Sequence, residues 1–490
     1  MKKFTLIFVL MLVVASIVSC TKTEYITITP EEEAPDTSTY TIMMYGCGGK
    51  NLDAAMVLNI QEALLEGASE RVNFTGMIKF SQRYQKEEVL KGAQRFIVGE
   101  AGETWYEPVE VLSEKLKLYD PQNLTDFINW SKEQCPADEY ILLLWNHGSA
   151  WLPSKDYPND SRAVIHDDNN LDKGLSLNGL VKGIKDSNTK FKMIYYDACL
   201  MGMIEIMAGL GDCTEYTMSA SHITPGIGGD YNSLIHHLNN STNFEQAMKD
   251  YCYETVSHWN TIQMPLDLMV VNNSKMEPLL NEIKVLSGYL QEVAEIYASY
   301  DETADNSIEK SNLCSAYEEA IKSCYHYDWQ YYPDGYAGFP FYDLHDFVEN
   351  LANANGGVNN YSAKFVDISS RINRAFNNTI VCKQLTSSIK NEKHDLTMGV
   401  TIVDKDIWVE LDGEHYADID YNYQMAYDEL VFQQKTGWGN WLSVNPVTPT
   451  GNPNPLTYAN VPEDDGEESQ KPTTQEEIEY ILELIGKSNK

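Results

Sequence analysis

The sequence predicts an α/β fold: a mostly parallel central sheet flanked by helices, followed by a mainly helical region and a C-terminal tail. Three observations carry this. Apolar, β-branched and aromatic runs alternate with stretches of helical periodicity between Tyr40 and Ser221. Two of the runs, Tyr140–Trp145 and Met193–Tyr196, are apolar throughout, as strands buried on both faces are. Both runs stop abruptly, at Asn146-His147-Gly148-Ser149 and at Asp197-Ala198-Cys199. The carboxyl ends of strands are where α/β sheets place reactive groups.

Residues 1–19 read as a lipoprotein signal peptide, with Lys2-Lys3, the apolar run Phe4 to Val18, and Ser19 before Cys20. About fifteen apolar residues fall short of the roughly twenty that a spanning helix needs. Ile17-Val18-Ser19-Cys20 resembles the lipobox of bacterial lipoproteins. That resemblance implies cleavage before Cys20, lipidation of its thiol, and a chain anchored in the bacterial cell envelope (outer membrane or surface-exposed) or secreted. Residues 20–39 form a polar tether, with Pro30, Glu31-Glu32-Glu33 and Pro35, too poor in apolar side chains to fold alone.

The α/β domain spans residues 40–262. It predicts a strand from Tyr40, a helix at Asp53–Leu65, strands at Val72–Phe80 and Arg95–Val98, and a helix near Leu124–Lys132. The strand ending at His147 follows, then a polar excursion, a helix near Leu177–Lys185, and the strand ending at Cys199. A helix, with Leu200, Ile204 and Met207 at helical spacing, and the strand Tyr216–Ser221 complete it. Residues 263–378 are mainly helical. In residues 379–445 the strand Thr397–Val403 is expected to rejoin the sheet. Residues 446–490 are an acidic, Pro-rich tail with a short helix at Gln475–Ile485.

Charge and cysteine usage narrow the function. With 36 basic against 72 acidic residues, nucleic acid is excluded as a partner, since its phosphates need Lys and Arg. Setting aside Cys20 and Cys199 leaves seven scattered cysteines, an odd number unlike a disulfide framework. No Cys-x-x-Cys or His-Glu-x-x-His is present, which argues against a structural zinc or a zincin. The aromatic stretch Tyr325–Tyr336 is read as a loop sealed against its own body.

The candidate chemistry lies at the two strand ends. A thiolate at Cys199, at the start of a helix, would gain from the helix N-terminus. Parallel strands open on one edge, so imidazole and thiol could meet there. Gly148 lets a backbone N–H approach a ligand, and with the Cys199 amide it could hold a tetrahedral oxyanion. His147 precedes Cys199 by 52 residues, and caspases carry a histidine about 50 residues before an Ala-Cys nucleophile.

Asn146-His147-Gly148-Ser149-Ala150-Trp151 with Asp197-Ala198-Cys199-Leu200-Met201-Gly202-Met203 resembles the clostripain family of cysteine peptidases, within the caspase-like clan. Tyr40–Tyr45 with Asn51-Leu52-Asp53, and Thr436-Gly437-Trp438 with Trp441-Leu442, extend the resemblance to roughly residues 40–445. It implies a caspase-like fold and an endopeptidase acting through a Cys199–His147 dyad and a thioester. Its substrates would be proteins or peptides with basic residues, because Asp197 occupies the position the family associates with a basic-residue pocket. Asp230 is a second wall candidate. Ser221-His222-Ile223-Thr224-Pro225 departs from the family's acidic pattern before Pro-Gly. Self-cleavage between His147 and Cys199 is implied too, with Lys155, Arg162 and Lys173 as candidates. The chemistry itself requires no cofactor. Calcium occurs in the family, and Asp156, Asp160, Asp167 and Asp168 are the carboxylates that could bind it. A catalytically silent surface lipoprotein binding peptide or glycan is the alternative.

Overall fold

The computed structural model describes residues 38–49, 51–154, 157–161, 164–167, 174–301, 307–327, 330–332, 335–337, 339–353, 360–390, 393, 395–403, 423–449 and 474–487. Cys20, Lys155, Arg162 and Lys173 lie outside them.

Nine strands among the described residues make one sheet: β1 (Ser38–Cys47), β2 (Val72–Lys79), β3 (Ala93–Ile97), β4 (Glu110–Leu112), β5 (Ala137–Trp145), β6 (Phe191–Asp197), β7 (Thr214–Ser219), β8 (Asp267–Asn272) and β9 (Ile380–Leu385). Their order is β9-β8-β7-β6-β5-β1-β2-β3-β4. The five central strands, β7 to β2 in that order, run parallel. Antiparallel strands extend the sheet at both ends.

Side chains alternate between two buried faces, which is why the central strands read as continuous apolar runs. Ile42, Met44, Ile141, Leu143, Met193 and Tyr195 share one core; Met43, Tyr45, Leu142, Leu144, Ile194 and Tyr196 share the other. The main helices are α1 (Asp53–Glu66), α2 (Pro121–Gln134), α3 (Leu177–Asp186), α4 (Ile204–Leu210), α5 (Tyr231–Asn240), α6 (Phe244–Thr261), α7 (Met276–Ser299), α8 (Ile308–Lys322), α9 (Leu344–Asn353), α10 (Asn360–Thr379) and α11 (Thr474–Leu484). The first core is covered by α1, α5, α6 and α11, the second by α2, α3, α4 and α7 to α10. The helical region therefore packs on the sheet through a shared core.

Two expectations are corrected. Thr397–Val403 does not rejoin the sheet: its Gly399–Thr401 portion pairs antiparallel with Phe341–Asp343. The sheet is extended instead by β8 and β9, inside the stretch read as helical and just after it. Four apolar residues in Leu268–Val271 are too few to separate a strand from a helical turn by periodicity. The tail helix also has a purpose in packing. Ile478, Ile481 and Ile485 are buried, the Gln61 side chain donates to Leu484 O at 2.7 Å, and Arg83 pairs with Glu477 at 2.8 Å.

Trp438 and Trp441 are fully buried, and their indole N–H groups donate to Thr401 O and to the Tyr317 hydroxyl, each at 2.8 Å. Tyr325 and Tyr327 are buried as well, as a sealed loop requires. Among the described residues no helix is long and apolar enough to cross a membrane.

Candidate active site

β5 and β6 are adjacent and parallel, with Trp145 opposite Asp197. His147 and Cys199 each lie two residues beyond those paired ends, so both leave the sheet at the same edge and in register. Gly148 makes the approach closer. A Cβ there would overlap the carbonyl oxygen of Cys199 and touch its nitrogen, so only glycine lets these backbones meet.

The histidine side is held from three directions. The Asn146 side chain donates to Cys47 O at 2.8 Å and accepts from the His166 N–H at 2.6 Å. This ties the ends of β1 and β5 to the returning segment. The His147 ring stands edge-on to His166, 6.4 Å between centroids. Its Nε2 lies 2.9 Å from Asn51 Oδ1. With that carbonyl as acceptor, Nε2 carries the proton, and in the neutral ring Nδ1 holds the lone pair.

The cysteine side differs from expectation. The helix does not begin at Cys199; α4 begins at Ile204, and Cys199-Leu200 is a turn. Leu200 sits at φ 62°, a left-handed conformation unfavourable for a branched side chain. Its amide donates to His222 O at 3.1 Å and that of Gly202 to Ala220 O at 2.6 Å, which hold the turn. Ala150 at φ 52° and Ile165 at φ 60° flank the histidine side. Strained backbone of this sort costs about 1–3 kcal/mol per residue and persists where its surroundings over-determine it. In place of a helix N-terminus, the thiol meets Thr224, whose N–H points at Sγ from 3.4 Å with its hydroxyl 3.5 Å away.

The Thr224 segment has its own anchor. Asp267, fully buried, accepts from the amides of Ser221 (2.9 Å) and His222 (2.8 Å) and pairs with Lys383. Burial alone would raise its pKa, but the Lys383 charge and these hydrogen bonds hold it below the usual range.

Asp197 lies beneath the Gly228–Gly229 backbone. Its Oδ2 accepts from the Gly229 N–H at 2.9 Å and from the Tyr231 hydroxyl at 2.7 Å. Gly228 is left-handed at φ 67°, and a Cβ there would overlap the carboxylate. Burial raises the Asp197 pKa from 3.8 to about 6, against the lowering effect of those two donors. The cavity beside it is about 10 Å³. Asp230 does not join it: it caps α5, accepting from Ser233 N at 3.0 Å, and faces a separate cavity of about 620 Å³.

Asp167 is one of the carboxylates named for calcium. It is buried, with its oxygens taken by the Lys79 ammonium at 2.8 and 3.0 Å and by the Leu118 amide at 3.3 Å, so it does not fit a calcium ligand. Asp156 and Asp168 lie outside the described residues, as does the side chain of Asp160.

Sequence reasoning missed Asn51, Thr224 and Asp267. Asn51 stood in a string matched to the family, but its contact with a histidine 96 residues away has no local signal.

The Clostripain family model matches residues 93–444 of this chain. Clostripain of Hathewaya histolytica is 25% identical over 403 residues, covering 74% of this chain and 75% of that protein. Two solved structures share the fold. A secreted C11 cysteine protease from Bacteroides thetaiotaomicron, bound to an irreversible peptide inhibitor, has a TM-score of 0.57 at 14% identity, covering 82% of this chain and 99% of its own. An inactive zymogen C11 protease from Parabacteroides distasonis has a TM-score of 0.54 at 15% identity, with the same coverage. The fold is caspase-like, and the chain belongs to the clostripain family of cysteine peptidases, as a cysteine endopeptidase.

Proposed function

We propose that this endopeptidase cleaves peptide bonds after Arg or Lys, using Cys199 as nucleophile and His147 as acid and base. The observation that carries this is the register match of β5 and β6, which brings the two residues out of the sheet side by side. The Cys199 thiolate attacks the carbonyl carbon, and the amides of Gly148 and Cys199 receive the oxyanion. As the tetrahedral species collapses, the imidazolium gives its proton to the leaving amine, and a thioester remains. His147 then takes a proton from water, which attacks the thioester. The acid leaves and the thiolate is restored. Asn51 keeps the ring oriented through Nε2.

Asp197 is the partner for a basic side chain, because a charge-assisted pair is strong and geometrically selective. Arg and Lys cannot fit a cavity of about 10 Å³, so the Thr224–Gly229 segment must shift to admit them. Clostripain homology supports the basic preference.

Turnover of fluorogenic Arg, Lys and norleucine peptides by wild type, Cys199→Ala and Asp197→Asn tests this. Basic substrates should be preferred, no activity should remain in the first variant, and the preference should collapse in the second. Equal turnover of all three peptides by wild type would overturn the specificity.

We further infer export and anchoring through lipid on Cys20, and self-cleavage at Lys155, Arg162 or Lys173. The Bacteroides relative is described as secreted. Palmitate labelling lost in Cys20→Ser tests the anchor. Mass spectrometry tests self-cleavage, expecting a nicked wild type and an intact Cys199→Ala; two intact chains would end that inference.

A further inference from the structure

We propose that Asn59 and Trp259 are positioning residues of the substrate pocket: they pin the Gly228–Gly229 backbone over Asp197 and so set how readily a basic side chain reaches the carboxylate. This rests on the reading of Asp197 as the partner of Arg or Lys. The covering segment is fastened from two helices. From α1, the Asn59 side chain donates to Gly229 O at 2.9 Å; from α6, the Trp259 indole donates to Gly228 O at 3.1 Å. The Gly229 amide points the other way, to Asp197. Just beyond, the Tyr231 N–H donates to Glu62 on α1 at 3.2 Å.

Asn59 holds more than one carbonyl. It is fully buried, its Oδ1 accepts from the Trp145 indole at 2.8 Å, and its Nδ2 also reaches Glu62 at 2.9 Å. An indole N–H can only donate and a carbonyl can only accept, so both ends of the amide are assigned by their partners. Trp145 is the residue paired with Asp197 across β5 and β6. The Asn59 amide therefore ties the cover of the pocket to the strand that carries His147. Aspartate would keep the acceptor for Trp145 but turn a second oxygen on Gly229 O.

The same segment is a partition between two spaces. Gly228, Gly229 and Thr255 line both the space of about 10 Å³ at Asp197 and the cavity of about 620 Å³ behind it. Withdrawal of the two glycines toward the larger cavity would widen the smaller space, and the bonds from Asn59 and Trp259 oppose that movement. Only the fraction of molecules with the segment withdrawn can take a basic side chain, so apparent affinity is reduced by that fraction. One neutral hydrogen bond biases such an equilibrium by about threefold to tenfold.

The test compares the full chain with Asn59→Asp and Trp259→Phe, on fluorogenic peptides with Arg or Ala before the cleaved bond. Trp259→Phe keeps an aromatic ring and removes the donor without adding charge. In both variants KM for the Arg peptide should fall about threefold to tenfold. The Arg-over-Ala ratio of kcat/KM should rise by the same factor, because an Ala side chain needs no opening. In a Cys199→Ala background, hydrogen exchange in a peptide spanning residues 224–231 should be faster in both variants by a similar factor. A general loss of stability would lower turnover of both peptides alike and leave the ratio fixed, which contradicts the role. An unchanged or raised KM for Arg in Trp259→Phe, with wild type still preferring Arg, would overturn this proposal alone, since charge would explain any response of Asn59→Asp. A wild type indifferent between Arg and Ala would instead remove the reading of Asp197 on which it rests.

Discussion

Trp145 and Asp197 face each other across two parallel strands, and the residues two places beyond them are His147 and Cys199, the proposed dyad. The sheet register is thus the positioning device. Neither side chain depends on a long loop for its placement, only on a two-residue exit from a buried strand.

Gly148 is the tightest point of that exit. Gly148→Ala should lower kcat about a hundredfold or more, because its methyl group collides with the Cys199 backbone that must receive the oxyanion. Steady-state kinetics on a folded variant checks this. Unchanged kcat would mean that the two backbones do not need to touch.

Asn51 should act through the ring it orients. Asn51→Ala is expected to reduce kcat by roughly 10- to 100-fold with little change in KM, as for a lost positioning contact in general acid–base catalysis. Asn51→Asp should shift the pH–rate profile upward, because a carboxylate at Nε2 favours the imidazolium. A profile identical to wild type in both variants would remove Asn51 from the site.

Asp197 makes two pH predictions. Its folded pKa of about 6 lies above the unfolded value of 3.8, so the folded state binds the proton more tightly. Stability should therefore fall as pH rises from about 4 to about 6, by at most about 3 kcal/mol. Asp197→Asn should lose that dependence in urea titrations. The Arg-to-norleucine ratio of kcat/KM should rise through about pH 6 in wild type, as the carboxylate forms, and stay flat in the variant. A flat ratio in wild type would contradict the assignment.

Asp267 and Lys383 form a buried pair, and removing one partner strands the other. Asp267→Asn should cost about 3–5 kcal/mol, and pairing it with Lys383→Met should restore much of that. Because the folded pKa of Asp267 is depressed, its contribution holds above about pH 4 and fades as pH falls through the folded value. Urea unfolding of the three variants checks the coupling; strictly additive losses would argue against the pair.

The parts legible in the sequence are those with local signatures. Apolar strands that end sharply in His or Cys show their ends in the pattern itself, so β5, β6 and the placement of His147 and Cys199 just beyond them could be read directly. The turn after Cys199 could not. Leu200 adopts a conformation its residue type disfavours, so its helical spacing with Ile204 and Met207 misled. Asn51, Thr224 and Asp267 act across long sequence separations through single contacts, which periodicity does not record. β8 failed for a different reason, being an apolar run short enough to pass for helix.

The proposed cleavage requires imidazole and thiol to share one electrostatic environment. The most direct measurement is the rate of Cys199 alkylation by iodoacetamide against pH, in wild type and in His147→Ala. Wild type should react through a midpoint well below the ordinary cysteine value of about 8.5. His147→Ala should move that midpoint upward. Coincident curves for the two proteins, centred near the ordinary value, would contradict the dyad.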